Sequence, residues 1–278
     1  MSSPVSEQEL RAAIAELPPV SAVIQRILAV LQDPRSDVDD VARLVRTETA
    51  LAAQVLRLAN SALYGLPERV TSIHEAVQHL GILEVQRLVT ALGSRQLFLR
   101  PLLAYGILAD ALWEHALGVA VGAETCARYA GSDRGLAYLT GILHSVGFVA
   151  LDRVAAARHL HPRDRDAPLD GWEREHFGTD NATIAARVLR IWEFPESVTE
   201  VVAARYQPHT SGAPEAAVLH LGSVLADRLG VGLVAEKGLF RAPTELIAAA
   251  GVPLEDFSEA ELDARQALDR ARALLRLA

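Results

Sequence analysis

Nine histidines and a lone cysteine are the side chains of this 278-residue chain best suited to hold a metal or attack a substrate. Their spacing is scattered. His74 and His79 stand five apart and so do not share a helical face. His159, His161, His176, His209 and His220 form no His-Glu-x-x-His pair. Neither a Gly-rich phosphate loop nor a Gly-x-Ser-x-Gly elbow is present. Cys126 can form no internal disulfide or cysteine cluster, and its place in the apolar run 119–130 assigns it to packing. Trp113 and Trp192 read as core residues rather than a base-stacking platform, and the mixed charges of 158–166 as a solvated loop. Asp180, just before Ala182 and Thr183, reads as a helix cap.

The elements that would position these residues are helical. Half of the residues are hydrophobic, few are aromatic, and no sustained period-two run rich in Val, Ile and Thr argues for a sheet. A formal charge of −8 argues against a general nucleic-acid binder, because phosphate backbones attract basic surfaces. The first residues lack a basic segment followed by an apolar one, so no signal peptide is expected. No uncharged apolar run of about 18 residues is read, so neither a membrane helix nor a membrane partner is expected and the cytoplasm is the default location.

Ser6 and Glu9 predict a capping box for a helix over 7–16, closed by Leu17-Pro18-Pro19. Val20, Val23, Ile24, Ile27, Leu28 and Leu31 mark one face of a second helix, stopped at Asp33-Pro34. Ser36 is expected to cap a third, and Leu51, Val55 and Leu58 mark a fourth that ends near Asn60. Two more follow around 73–80 and 83–92, split at Gly81. Arg100-Pro101 is the best internal boundary. Beyond it, helices are expected at 105–130, 134–144, 147–157, 172–177, 183–192, 197–206 and 215–229, with a last one at 258–275 capped by Ser258 and Glu261. The polar stretch 159–170 reads as a surface loop.

Two ordered motifs carry a resemblance. Asn60-Ser61-Ala62-Leu63-Tyr64-Gly65 follows the apolar helix, and Ile73-His74-Glu75-Ala76-Val77-Gln78-His79-Leu80-Gly81 comes next. With Leu17-Pro18-Pro19, they make the N-terminal third similar to HDOD domains. Gly141-Ile142-Leu143-His144-Ser145-Val146-Gly147 resembles the Gly-Leu-Leu-His-Asp-Ile-Gly pattern of the HD phosphohydrolase superfamily. The likeness covers roughly residues 15–235 and implies an all-α, multi-helix HDOD fold. The expected organisation is an N-terminal helical subdomain (1–100) packed on an HD-like helical subdomain (101–235), with a C-terminal helical extension (236–278).

The resemblance also implies a metal site, and this chain departs from its pattern. His115 and His144 match histidine positions, but Ser145 replaces the aspartate of the doublet. Asn181 stands where related sites often carry histidine, Arg205-Tyr206 stand where a histidine pair is common, and Gly222-Ser223 stand where the closing aspartate would be. The six positions His115, His144, Ser145, Asn181, Tyr206 and Ser223 therefore read as a vestigial site, with no catalytic residue, metal or cofactor expected, because two neutral imidazoles leave a hard cation underliganded. Asn60, Ser61 and Tyr64 are a candidate partner or ligand surface, although capping and turn packing explain them as well. The family reading implies a free-standing signalling adaptor that binds a protein partner, with a nucleotide ligand and a homodimer left open. The alternative is a divergent phosphohydrolase or cyclic-nucleotide phosphodiesterase using His115, His144 and Asp180.

Overall fold

In a computed structural model of the chain, residues 3–18, 22–32, 35, 37–164, 166–210 and 212–276 are described. Their helices are, in order, α1 (Glu7–Ala15), α2 (Ala22–Gln32), α3 (Val38–Val45), α4 (Thr49–Ala59), α5 (Ile73–Leu80), α6 (Ile82–Ser94), α7 (Ala109–Ala130), α8 (Arg134–Leu143), α9 (Val146–Ala157), α10 (Leu169–Phe177), α11 (Asn181–Ile191), α12 (Glu196–Ala203), α13 (Pro214–Arg228), α14 (Thr244–Ala249) and α15 (Phe257–Leu275). No strand occurs among the described residues, only an isolated bridge between Leu102 and Ile107. The fold is all-α, as the periodicity predicts.

The chain divides into two compact units whose borders differ from the expected 1–100, 101–235 and 236–278. Val20–Arg95 with Gln266–Ala278 form one, and Met1–Pro19 with Gln96–Arg265 form the other. In the smaller unit Val41 and Val45 of α3, Val55 and Leu58 of α4, and Val85 and Val89 of α6 are buried. The turn at Gly81, with φ 83°, splits α5 from α6 at a conformation that glycine adopts without strain. The N-cap of α3 is Asp37, in a capping box with Asp40; Ser36, the expected cap, lies outside the described residues, as do Pro19 and Asp33-Pro34.

The larger unit begins with α1, whose Ser6–Glu9 capping box is present. Its start is stitched to the body by Val5 N–H donating to Phe177 O at 2.9 Å and by Arg158, which pairs with Glu9 at 2.7 Å. That is why α1 belongs here and not with the helices that follow it in sequence. Residues 236–265 belong here too, since Tyr129 donates to Asp263 at 2.8 Å and Arg228 pairs with Glu261 at 2.9 Å. The border falls inside α15, which starts at Phe257 directly after a short 3₁₀ turn, so Ser258 is inside the helix and not its cap. Likewise α7 starts four residues later than expected, because Leu102–Ile107 close a turn by exchanging backbone hydrogen bonds.

The core of this unit is built by close helix approach. A Cβ on Gly141 would lie 2.3 Å from the Ala120 backbone, and one on Gly147 would lie 1.9 Å from Asn181 O. Both glycines flank the His144-Ser145 turn between α8 and α9, so α7 and α11 are drawn against that turn. The segment Arg134–Ala157, containing α8 and α9, is long and apolar enough by composition to cross a membrane, contrary to the reading that no such run exists. Its apolar window is wholly buried inside the structure, as the middle of a helical core requires.

Candidate functional site

His144 ends α8 and is fully buried. Its Nδ1 lies 2.6 Å from Gly141 O, a carbonyl that can only accept, so Nδ1 carries the hydrogen. Nε2 is then the acceptor, reached by Ser145 Oγ at 2.8 Å and by His115 Nε2 at 3.1 Å. Burial first, then Arg205 and His115, pushes His144 well below the ordinary imidazole value, which keeps the ring neutral. His115, from the middle of α7, turns its Nδ1 to Val231 O at 3.1 Å. Its Nε2 also comes within 3.2 Å of Glu236 Oε2.

Glu236 joins the histidines to a second group. Arg205, fully buried just after α12, donates through Nη2 to Glu236 Oε1 at 2.6 Å, and Tyr206 donates its hydroxyl to the same oxygen. The Arg205 guanidinium lies over the rings of Tyr206 and Phe240, at 4.7 and 5.1 Å from their centroids. Its Nε and Nη1 have no hydrogen-bond partner, and neither does Glu236 Oε2, whose approach to His115 is off the line of a hydrogen bond. Burial would raise the Glu236 carboxyl, but Arg205, His115 and Tyr206 outweigh it and hold it at about 2. His220 of α13 fixes this corner by donating from Nδ1 to Arg205 O at 2.8 Å.

Asn181, the first residue of α11, continues the chain of contacts. Its Nδ2 donates to Tyr206 Oη at 2.9 Å and to Glu173 at 3.1 Å, and its backbone N–H donates to Glu173 Oε2 at 2.9 Å. Tyr105 donates to Glu173 Oε1 at 2.8 Å. Asp180 caps α11 by accepting from Thr183 N–H at 2.7 Å, the role the sequence suggests. Five of the six positions singled out from the motifs, His115, His144, Ser145, Asn181 and Tyr206, therefore lie in one buried network. Ser223 does not join it: its hydroxyl bonds to Leu219 O of its own helix at 3.4 Å.

In the smaller unit Asn60 is a staple. Its Nδ2 donates to Leu56 O and to Val70 O, and its Oδ1 accepts from Val70 N–H, each at 2.8 Å. Tyr64 donates to Glu84 of α6 at 2.6 Å. Both side chains shape the turn after α4. Ser61 keeps a buried hydroxyl without a partner, beside an open groove lined also by Asn60, Arg57 and Arg69. Tyr64 does not line that groove.

The model of the HDOD domain family matches residues 17–208. The chain belongs to the HDOD family. Its fold is similar to that of an HDOD domain protein of unknown function from Geobacter sulfurreducens, with a TM-score of 0.68 and 22% identity over 94% of this chain and 96% of that one. It is also similar to a candidate signal transduction protein from Marinobacter aquaeolei VT8, with a TM-score of 0.71 and 25% identity over 97% of this chain and 65% of that one. A candidate metal-dependent phosphohydrolase from Shewanella amazonensis SB2B shares the fold at a TM-score of 0.60 and 23% identity, over 95% of each chain. In sequence, an uncharacterised protein of Treponema pallidum (strain Nichols) is 25% identical over 215 residues, which is 73% of this chain and 39% of that protein's length.

The resemblance of the His144 motif to the HD phosphohydrolase pattern brings a divalent metal into question, and the residues of this HDOD domain do not fit one. The two imidazoles direct Nε2 at each other rather than at a common point. Ser145 and Asn181 offer neutral groups, and the one carboxylate in reach is already paired with a guanidinium. Among the described residues no group of three or more His, Cys, Asp or Glu side chains is disposed to hold a metal ion. Sequence reasoning missed the three residues that organise the network. Arg205 drew notice only as a departure from a histidine pair, and Glu173 and Glu236 drew none. Glu236 ends a short 3₁₀ turn, Val234–Glu236, past the matched region, where no periodicity marks a buried charge.

Proposed function

We propose that this HDOD domain is a non-catalytic regulatory module that works by binding a signalling protein partner. The observation that supports it best is the state of the doublet position. His144 is neutral and internally hydrogen-bonded, and its neighbour Ser145 spends its hydroxyl on the same ring. Hydrolysis of a phosphoester needs a held water of lowered pKa and a positive clamp on phosphate oxygens. A network whose donors and acceptors face one another inside the protein leaves neither exposed. A module of this kind needs surfaces that bias a partner between states, and its buried polar groups serve to fix its own shape.

The deciding experiment is an assay of the purified protein against cyclic dinucleotides and nucleoside phosphates with manganese present. No turnover above buffer is expected. Turnover that disappears in His144→Ala would overturn the reading in favour of a divergent phosphodiesterase. A thermal shift with one of these nucleotides, without turnover, would leave the module non-catalytic and add a nucleotide ligand to it. Cross-linking mass spectrometry in the source cell would then identify the protein partner.

A further inference from the structure

The segment after α4 folds back on that helix and leaves an open groove of about 1130 Å³ beside it. The floor is apolar: Leu56 and Leu66 pack on the buried cluster of Ala59, Val70 and Ala76, and the small Ala53 keeps the helix side open. The walls are fixed. Asn60 bonds to Leu56 O and to both backbone groups of Val70, and Thr71 N–H donates to Glu75 Oε2 at 2.7 Å where the segment leaves the groove. Two exposed arginines line it, Arg57 from α4 and Arg69 from the returning segment, against one acidic residue, Glu68. Among the described residues no carboxylate pairs with Arg69. We propose that this groove takes an acidic, extended peptide segment of a partner protein, with alternate side chains on the apolar floor and the carboxylates between them on the two arginines.

Size, lining and charge select this occupant. Pockets for small molecules hold about 300–1000 Å³ and enclose most of the ligand, whereas this groove is larger and open. Among the described residues no aromatic side chain lines it, so a nucleobase finds no ring to stack on. The chain carries a formal charge of −8, yet here arginines outnumber acids. A locally positive groove on a negative molecule draws an acidic segment and turns away a basic one. An extended segment sends successive side chains to opposite faces, which suits an apolar floor flanked by charge. The Asn60 staple holds the walls before a ligand arrives, so little ordering remains to oppose binding. The inference rests on the reading that the domain works through a protein partner, and deepens it.

The test titrates the full-length protein into a fluorescent peptide of alternating glutamate and leucine, read by anisotropy. Saturable binding that weakens as salt is raised is expected. Peptides of alternating lysine and leucine, or glutamate and serine, should bind at least about tenfold more weakly, since each lacks one half of the match. Arg69→Glu should weaken the glutamate–leucine peptide roughly tenfold by turning an attraction into a repulsion. Ala53→Trp, which fills the groove from an exposed helix position, should weaken it too. Arg190→Glu, exposed on α11, changes the net charge equally and should bind like wild type. Circular dichroism checks folding; should Ala53→Trp misfold, the two arginine variants decide alone. The proposal is overturned if the peptide does not bind saturably, or if Arg190→Glu weakens it as much as Arg69→Glu. Displacement of the peptide by a thymidine oligonucleotide overturns it in favour of a nucleic-acid strand. A wild-type dimer that Ala53→Trp dissociates overturns it in favour of a second copy of the chain. None of these measurements reads turnover, the result that overturns the non-catalytic reading, so the two can fail separately.

Discussion

At the scale of single residues, Glu173 shows how burial and hydrogen bonding compete. Burial raises its carboxyl to about 7, although Asn181 and Tyr105 donate to it and oppose the rise. The folded protein therefore keeps a proton that the unfolded chain has lost between about pH 4.5 and 7. Stability must fall as pH rises through that window and level off above it. His144 and His220 act in the opposite sense, since both lie below 6.5 and favour folding as pH climbs towards that value. Urea titrations of wild type and Glu173→Gln across pH 4.5–8 separate the two, because the histidine slope is common to both and cancels in the difference. The wild-type midpoint should drop relative to the variant as pH rises to 7; a constant difference would refute the assignment. Ser145→Asp, which restores the carboxylate of the doublet, is expected to give no hydrolysis of cyclic dinucleotides. Asn181 and Tyr206 remain in place, Arg205 still holds Glu236, and groups that act as a unit do not recover one at a time. Robust turnover by that single variant would mean a recently silenced enzyme.

At the scale of elements, the sequence was most informative where one period and one cap agree. The Ser6–Glu9 box, the stop at Gly81 and the Asp180 cap were legible because each is a local bargain between a side chain and its own turn. Five of the positions singled out from the motifs, His115, His144, Ser145, Asn181 and Tyr206, were legible as neighbours for another reason: the motif spacing marks residues that the fold brings into one network. What stayed illegible was long-range. Arg205, in a span expected as a helix, and Glu236, in a span given no element, are charged residues whose pairing no local pattern marks until the fold buries them against each other. The motif glycines carry a similar lesson. Gly147 was legible as motif, but its reason lies in α11: an added Cβ would sit 1.9 Å from the Asn181 carbonyl, a backbone atom that cannot swing aside. Gly147→Ala should cost about 3 kcal/mol by forcing α9 and α11 apart, although alanine is the better helix former. Chemical denaturation checks this. A loss below roughly 1 kcal/mol would mean that the two helices separate freely.

At the scale of the whole molecule, the order of the chain and the order of its compact units disagree, and a single side chain does much to produce the difference. Arg158, at the end of α9, donates to both Glu9 carboxylate oxygens at 2.7 and 2.9 Å, to His176 O at 2.8 Å, and to Ser3 O at 3.0 Å. The first residues are thereby fixed to the unit formed mainly by residues 96–265, while the helices next in sequence form the other unit. Side-chain hydrogen bonds from Arg158 and the Ser6 cap hold the Glu9 carboxyl at about 2, so this group favours folding above about pH 4.5 and loses its effect as pH falls towards 2. Glu9 is partly open to solvent, which screens the pair, so the effect belongs to local order more than to global stability. Arg158→Ala should therefore free α1 from the body with only a modest change in melting temperature. Hydrogen exchange at pH 7 is expected to show faster exchange at residues 8–16 in the variant and unchanged protection in α7 and α13. Acidifying wild type towards pH 2 should bring its α1 protection to the level of the variant, once the exchange rates are corrected for pH. If α1 stays equally protected in both proteins, the buried faces of Leu10, Ala13 and Ile14 hold it unaided, and Arg158 only follows a docking that those apolar contacts already fix.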